Sequence, residues 1–218
     1  MMEYLASFPY LTELITVTIL TVVIAITPGL DFMLVTRNSV FHSRKAGVYS
    51  SIGVGLSLWV HVAYSIAGLA AIISQSVLMF SVIKYLGAAY LIYIGWKTIS
   101  SSNKAGITIS RPDNQPDDTM SRFAAIKMGF LCNLLNPKAP IFFLSLFTQI
   151  ISPETPLWLQ VIYGAIISVV HIIWFSLVAA FLSQPVFMRK FNRCKEGLEK
   201  AVGAILIGFG FKIAASSQ

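Results

Sequence analysis

Charge is scarce in this sequence: Asp, Glu, Lys and Arg make up 11% of the residues against 56% hydrophobic, and the mean hydropathy is +0.75. Soluble globular chains carry about 25% charged residues, so that class is excluded and a polytopic membrane protein is expected. Cysteine is rarer still, with two in 218 residues. Cys132 falls in an apolar stretch and Cys194 in a basic one, so a structural disulfide is not expected, and neither belongs to a metal-binding pattern. The sequence also lacks H-E-x-x-H, and no second acid lies near Asp31 in the apolar segments. Membrane-embedded enzyme chemistry is thereby excluded, no cofactor is indicated, and Asp117 and Asp118 read as solvated linker residues.

What is abundant is apolar sequence. A helix crossing about 30 Å of hydrocarbon takes roughly 20 apolar residues. Six segments qualify, at 14–36, 47–73, 77–99, 123–150, 157–182 and 198–216. The net charge of +7 would be compatible with nucleic acid, but its placement is not. Arg37, Arg44 and Lys45 follow the first segment, Lys104, Arg111 and Arg122 the third, and Arg189, Lys190, Arg193, Lys195 and Lys200 the fifth. The loops around Gln75 and Ser76 and from Ser152 to Pro156 carry no basic residue. The positive-inside rule puts the basic loops in the cytoplasm and both termini outside, in keeping with the acidic start at Glu3 and Glu13. A cleaved signal peptide is disfavoured, because no basic region precedes the first apolar stretch, which runs to Arg37. The expected partners are membrane lipids and a small solute, with no nucleic acid; a homodimer is left open.

The stretch from Ser100 to Ser121, rich in Ser, Asp, Asn and Pro, is the one obvious linker. It divides the chain into a first three-helix unit (1–99), a polar cytoplasmic linker (100–121) and a second three-helix unit (122–218). Leu91-Ile92-Tyr93-Ile94-Gly95-Trp96-Lys97 ends the third segment and Leu206-Ile207-Gly208-Phe209-Gly210-Phe211-Lys212 the sixth, matching at an offset of 115. Setting Pro28 on Pro137, an offset of 109, superposes Gly55 on Gly164 and brings His61 within one position of His171. A unit of three helices starts and ends on opposite sides, so the second copy is inverted. The expected fold is an all-α membrane protein of six transmembrane helices in two inverted three-helix repeats, a plan on which secondary transporters place their site near the midplane.

Two of the six segments contain what a bilayer helix should not. Thr27-Pro28-Gly29-Leu30-Asp31 interrupts the first and Asn136-Pro137-Lys138 the fourth, each about fourteen residues from an end and so near mid-membrane. Proline removes a backbone donor, so each helix is expected to break and free backbone groups for a ligand. An ionisable side chain inside lipid costs at least about 2.5 to 3.5 kcal/mol, so Asp31 and Lys138 are expected to face the protein interior, most cheaply as an ion pair. That pair either binds the ammonium and carboxylate of a zwitterion or only locks the two units together; the sequence leaves both open.

His61 and His171, near Trp59 and Trp174, occupy matching mid-helix positions. Each is a candidate proton carrier or a neutral histidine bonded between helices. His42 reads as solvated. Gly47, Gly53, Gly55, Gly68, Gly87 and Gly95 are spaced for close helix packing. The segment from Met188 to Lys200, with Phe191 and Leu198 among basic residues, suits a helix lying on anionic lipid.

Thr27-Pro28-Gly29-x-Asp31, the glycine-rich second helix, Leu86-Gly87-Ala88-Ala89-Tyr90-Leu91 and the stretch from Asn133 to Lys138 resemble the LysE/RhtB family of amino-acid exporters over nearly the whole chain. The resemblance implies a bacterial inner-membrane protein that exports amino acids at the expense of the proton motive force. It carries over Pro28, Gly29, Asp31, Asn136, Pro137 and Lys138 as signature positions; Leu30 departs from the family's usual second proline. Asp31 is the one membrane-embedded carboxylate that the sequence reading finds, which favours neutral or hydroxylated substrates such as threonine, homoserine or leucine. The rival from another class is a passive channel. Paired breaks also build aquaporin-like pores, but those repeat Asn-Pro at both breaks, whereas Thr-Pro-Gly followed by Asp and Asn-Pro followed by Lys suit alternating access.

Overall fold

The computed structural model describes residues 10–75, 77–101, 120–136, 138–151, 154–182 and 184–215. The linker residues 102–119, with Lys104, Arg111, Asp117 and Asp118, lie outside them, as do Glu3 and Pro137. The described residues form eight α-helices: α1 (Leu11–Ile26), α2 (Leu30–Phe41), α3 (Arg44–Gln75), α4 (Val77–Ser101), α5 (Arg122–Leu134), α6 (Lys138–Gln149), α7 (Leu157–Leu177) and α8 (Pro185–Ala215). A π-helical turn, Val178–Leu182, continues α7.

Two continuous segments, Arg44–Gly68 and Leu157–Phe181, are long and apolar enough to cross a membrane. The pairs α1–α2 and α5–α6 each qualify if taken as one bent span, with bends of 54° and 60°. The two bends fall at the two signatures. Thr27, the residue before proline, takes the extended conformation with ψ 118°, as the proline ring requires. Gly29 is extended as well, at φ −153°, a conformation open to any residue, so its lack of a side chain is not needed for the turn. The sixth segment differs from expectation in starting at Pro185 rather than 198, so α8 takes in the basic stretch.

Apolar side chains both fill the interior and cover much of the surface. Along α1, Val17 and Leu20 are buried while Ile15, Ile19 and Val22 are exposed. One core cluster joins Val17 and Leu20 to Phe143, Phe147, Tyr163 and Leu206; a second joins Phe32 and Val35 to Phe175 and Met188. Lipid supplies little hydrophobic drive for helix association, so close backbone approach has to hold the bundle together. A Cβ on Gly53 would lie 2.0 Å from the Ile126 carbonyl oxygen, and one on Gly129 2.0 Å from that of Ser50, which locks α3 on α5. A Cβ on Gly68 would meet nothing within 4 Å among the described residues.

The α4–α8 contact is reciprocal. A Cβ on Gly95 would meet Gly203 and Ile207, and one on Gly210 would meet Ala88 and Ile92. The 115-residue offset carries Gly95 to Gly210, Ala88 to Gly203 and Ile92 to Ile207. Between α3 and α7, Gly55 faces Ile172 and Gly164 faces Val62.

The Met188 to Lys200 segment is not a separate surface helix. Phe191 stacks on Phe32 of α2 at 5.2 Å, and Lys195 and Glu199 are buried, with Lys195 Nζ 3.7 Å from Glu199 Oε1. Arg189, Lys190, Arg193 and Lys200 are exposed. Arg44, Lys45 and Arg122, also exposed, lie where α3 and α5 start, at one end of the bundle; the Arg122 guanidinium is 5.6 Å from the Tyr49 ring centre. At the other end Glu13 ties α1 to the start of α7. Its carboxylate accepts from Thr155 Oγ1 at 2.9 Å and from the Tyr163 hydroxyl at 3.1 Å.

Candidate functional site

Asp31 sits in the first turn of α2, just past the break, where the backbone N–H groups of a helix start favour a negative charge. Its carboxylate does not pair with Lys138: among the described residues no ion pair within 4.0 Å joins them. It accepts instead from two asparagines, Asn133 Nδ2 at 3.0 Å and Asn136 Nδ2 at 3.4 Å, both on the same oxygen, Oδ2. The expected ion pair is therefore replaced by neutral donors, which hold the carboxylate without neutralising it.

Each asparagine is itself fixed. The Ser57 hydroxyl of α3 donates to Asn133 Oδ1 at 2.7 Å, and the Lys138 backbone N–H donates to Asn136 Oδ1 at 3.1 Å. With each amide oxygen engaged, each amide NH2 is left to face Asp31. Asn136 thus does two things: it caps the restart of the broken helix at α6 and crosses to the other broken helix. The second carboxylate oxygen, Asp31 Oδ1, is buried and has no hydrogen-bond partner among the described residues. A buried acceptor in that state is a place for a ligand donor or a proton.

Asp31 lines a cavity of about 50 Å³ together with Thr27, Gly29, Asn133, Asn136 and Lys138. Apolar walls come from Phe142, Phe143 and Phe175. Thr27, Gly29, Leu30, Asn136 and Lys138 also form part of a wider cavity of about 490 Å³, whose other walls include Pro28, Tyr90, Tyr93, Lys97 and Glu199. The wider cavity reaches Lys97 and Thr98 near the last turn of α4, so it extends toward the basic end of the bundle. Thr27, Pro28, Gly29, Asp31, Asn136 and Lys138 thus come together at the junction of the two breaks; Pro137 lies outside the described residues.

The two histidines, equivalent in the sequence, differ in the structure. His171 lines the small cavity, and its Nδ1–H donates to the Ile167 carbonyl at 2.8 Å, which fixes the tautomer and leaves Nε2 as an acceptor. His61 sits behind Phe143, ring centres 5.3 Å apart, and shares a 2.8 Å hydrogen bond with the Tyr64 hydroxyl through Nδ1. Its Nε2 is buried without a hydrogen-bond partner among the described residues.

Several residues at the site are not among the sequence candidates. Asn133 was readable in principle: it lies three residues before Asn136, on the same side of a helix, and an amide inside an apolar run needs a partner. In the sequence Lys97 signals only the repeat. Ser57 carried no signal apart from its polarity. Glu199 is a second buried carboxylate, not singled out in the sequence although it falls at the start of the segment 198–216.

Comparison with known proteins bears on the whole chain. Residues 22–217 match the family model described as LysE type translocator. The chain is 31% identical over 197 residues to the uncharacterised membrane protein YrhP of Bacillus subtilis, covering 88% of this chain and 93% of that protein. It is 28% identical over 202 residues to the threonine efflux protein of Escherichia coli K12, covering 93% and 97%. A shorter match, 33% over 129 residues, covers 58% of this chain and 57% of the leucine efflux protein of Salmonella choleraesuis. No solved structure matches.

Proposed function

We propose, from the premise that this chain belongs to the LysE family of translocators, that it exports neutral amino acids from the cytoplasm across the bacterial inner membrane by proton antiport. The observation that carries the reading is the Asp31 carboxylate: one oxygen is held by asparagines from the other broken helix, and the other is buried and unpartnered at a cavity. Such an oxygen is suited to take a substrate ammonium and a proton in turn, which is what antiport requires of one site. Lys138, on the same cavity wall, is placed for the substrate carboxylate.

Neutral substrates are favoured by charge balance. The two cavities are lined by Asp31 and Glu199 against Lys97 and Lys138, so a zwitterion adds no net charge, whereas lysine or arginine would add one. Relatives named for threonine and leucine efflux agree with that class. His171, on the cavity wall, is a better candidate than His61 to pass protons.

The architecture proposed is six spans in two inverted repeats, 1–99 and 122–218 joined by the linker 100–121, with both termini outside. The reciprocal Gly95–Gly203 and Gly210–Ala88 contacts support the repeat, since exchanging the two halves exchanges the contacts. Export is then alternating access between the halves, with the Glu13 cluster closing the outer end while the wider cavity faces the cytoplasm. A passive facilitator is the second reading; the narrowness of the small cavity, about 50 Å³, favours a carrier.

The test is purified protein in liposomes loaded with mixed amino acids, under an imposed proton gradient with a protonophore control. Protonophore-sensitive release of threonine, homoserine or leucine ahead of lysine and arginine is expected. Release that ignores the gradient would establish the facilitator instead.

A further inference from the structure

The small cavity beside Asp31 has about a tenth of the volume of its neighbour. A cavity needs about 10 to 15 Å³ of such volume to hold one water, so about 50 Å³ is room for only a few waters. The adjoining cavity of about 490 Å³ lies within the range of small-molecule sites, about 300 to 1,000 Å³. Its walls carry charge of both signs on facing helices. From α4, Lys97 holds its ammonium 5.8 Å from the ring centre of Tyr93, another wall residue. From α8 comes Glu199, 6% exposed, whose Oε1 is 3.7 Å from Lys195 Nζ while Oε2 is buried without a hydrogen-bond partner among the described residues. Lys138 stands where the two cavities share a wall, and no ion pair within 4.0 Å joins Lys97 or Lys138 to a carboxylate among the described residues.

We infer that this wider cavity is a separate loading station for the zwitterion, in which Glu199 takes the ammonium and Lys97 the carboxylate before the substrate passes to Asp31. The inference rests on the export reading and goes beyond it, because it assigns a second substrate site and the residues that read the two charged ends. The tyrosine pair Tyr90 and Tyr93 supplies the apolar and hydroxyl-bearing wall against which a side chain such as that of threonine or leucine packs. Lys138, on the shared wall, takes over the carboxylate as the substrate moves inward, so neither charged end crosses an uncharged stretch.

The test is equilibrium binding of threonine and leucine to the detergent-solubilised full chain, with N-acetylthreonine and threoninamide as probes lacking one charged end each. The wild type is expected to bind threonine at least tenfold more tightly than either analogue. Glu199→Gln is expected to weaken threonine at least tenfold and to erase the discrimination against N-acetylthreonine; Lys97→Met should erase the discrimination against threoninamide. A Glu199→Gln protein with wild-type affinity and wild-type discrimination overturns the inference. Because loss of Glu199 also leaves Lys195 without its partner, a second measurement keeps both residues: Ile94→Cys, on the cavity wall, labelled with a thiol reagent against the background of Cys132 and Cys194. Millimolar threonine is expected to slow that labelling at least threefold and N-acetylthreonine to leave it unchanged. No protection by threonine overturns the loading station. Failure of the wild type to export any amino acid from liposomes would overturn the export reading and this site with it. Normal export with unaltered Glu199→Gln binding would overturn this site alone.

Discussion

Asn133 and Asp31 stand 102 residues apart in the chain and meet at 3.0 Å where the two broken helices cross. The bond joins the two halves of the molecule through the residue on which the proposed transport depends. Asn133→Ala removes it and also strips the Ser57 hydroxyl of its amide acceptor. Ser57 keeps its 2.6 Å bond to the Val54 carbonyl and Asp31 Oδ2 keeps Asn136, so the cost is that of one hydrogen bond to a charged group, about 1.5–3 kcal/mol. A lowered thermal transition in detergent and reduced export are expected together. Wild-type stability and wild-type export in this variant would show that the asparagine clamp does not matter.

Two glycine substitutions are expected to behave oppositely. Gly53→Ala puts a methyl 2.0 Å from the Ile126 carbonyl oxygen, and overpacking of this kind costs about 1–3 kcal/mol or more because backbone has to move. Gly29→Ala meets nothing closer than the Thr27 carbonyl oxygen at 3.9 Å. It is therefore expected to fold normally and to impair export by narrowing the space shared by the two cavities. Thermal transitions of the two variants side by side check this; equal destabilisation would count against the placement of Gly29.

Glu13 holds the outer end. Glu13→Ala leaves the Thr155 and Tyr163 hydroxyls without their carboxylate, and hydrogen bonds to charged groups are worth about 1.5–3 kcal/mol each. The α1–α7 contact should open more often. A cysteine at Ile24, on the wall of the small cavity, is expected to react several-fold faster with an impermeant thiol reagent added outside once Glu13 is alanine. An unchanged rate would remove Glu13 from gating.

Phe191→Ala distinguishes a packed α8 from one lying on lipid. The stacked Phe32–Phe191 pair should be worth about 0.5–1.5 kcal/mol beyond its area, so the variant is expected to lose thermal stability whatever the lipid composition. Loss of vesicle-lipid dependence with unchanged stability would favour the surface helix.

What the sequence discloses is what local chemistry decides. A proline in the interior of an apolar helix removes a ladder hydrogen bond, so the bends at Pro28 and before Lys138 are readable without any neighbour, whereas Pro140, in the first turn of α6, is tolerated. The matched glycines and isoleucines at the ends of α4 and α8 were readable because each end has to satisfy the same contact. The partner of Asp31 was not, since which donor reaches a carboxylate depends on the crossing of helices far apart in sequence. An ion pair was the cheaper guess on charge alone, and two amides won because Asn133 and Asn136 present NH2 groups from one helix end. Glu199 was concealed by Lys195, one turn away, whose charge makes a buried stretch look like solvated surface. His61 and His171 show the limit of the repeat: matching positions put one ring behind Phe143 and the other on the cavity wall.

The central claim is that Asp31 couples amino-acid export to protons, and the most direct measurement is gradient-driven efflux from liposomes containing wild type or Asp31→Asn. The asparagine keeps the shape and one acceptor for Asn133 and Asn136, so folding is expected to survive, checked by an unchanged elution profile and thermal transition. Gradient-driven release of threonine or leucine should fall at least a hundredfold in the variant. Release at the wild-type rate from folded Asp31→Asn protein would contradict the account.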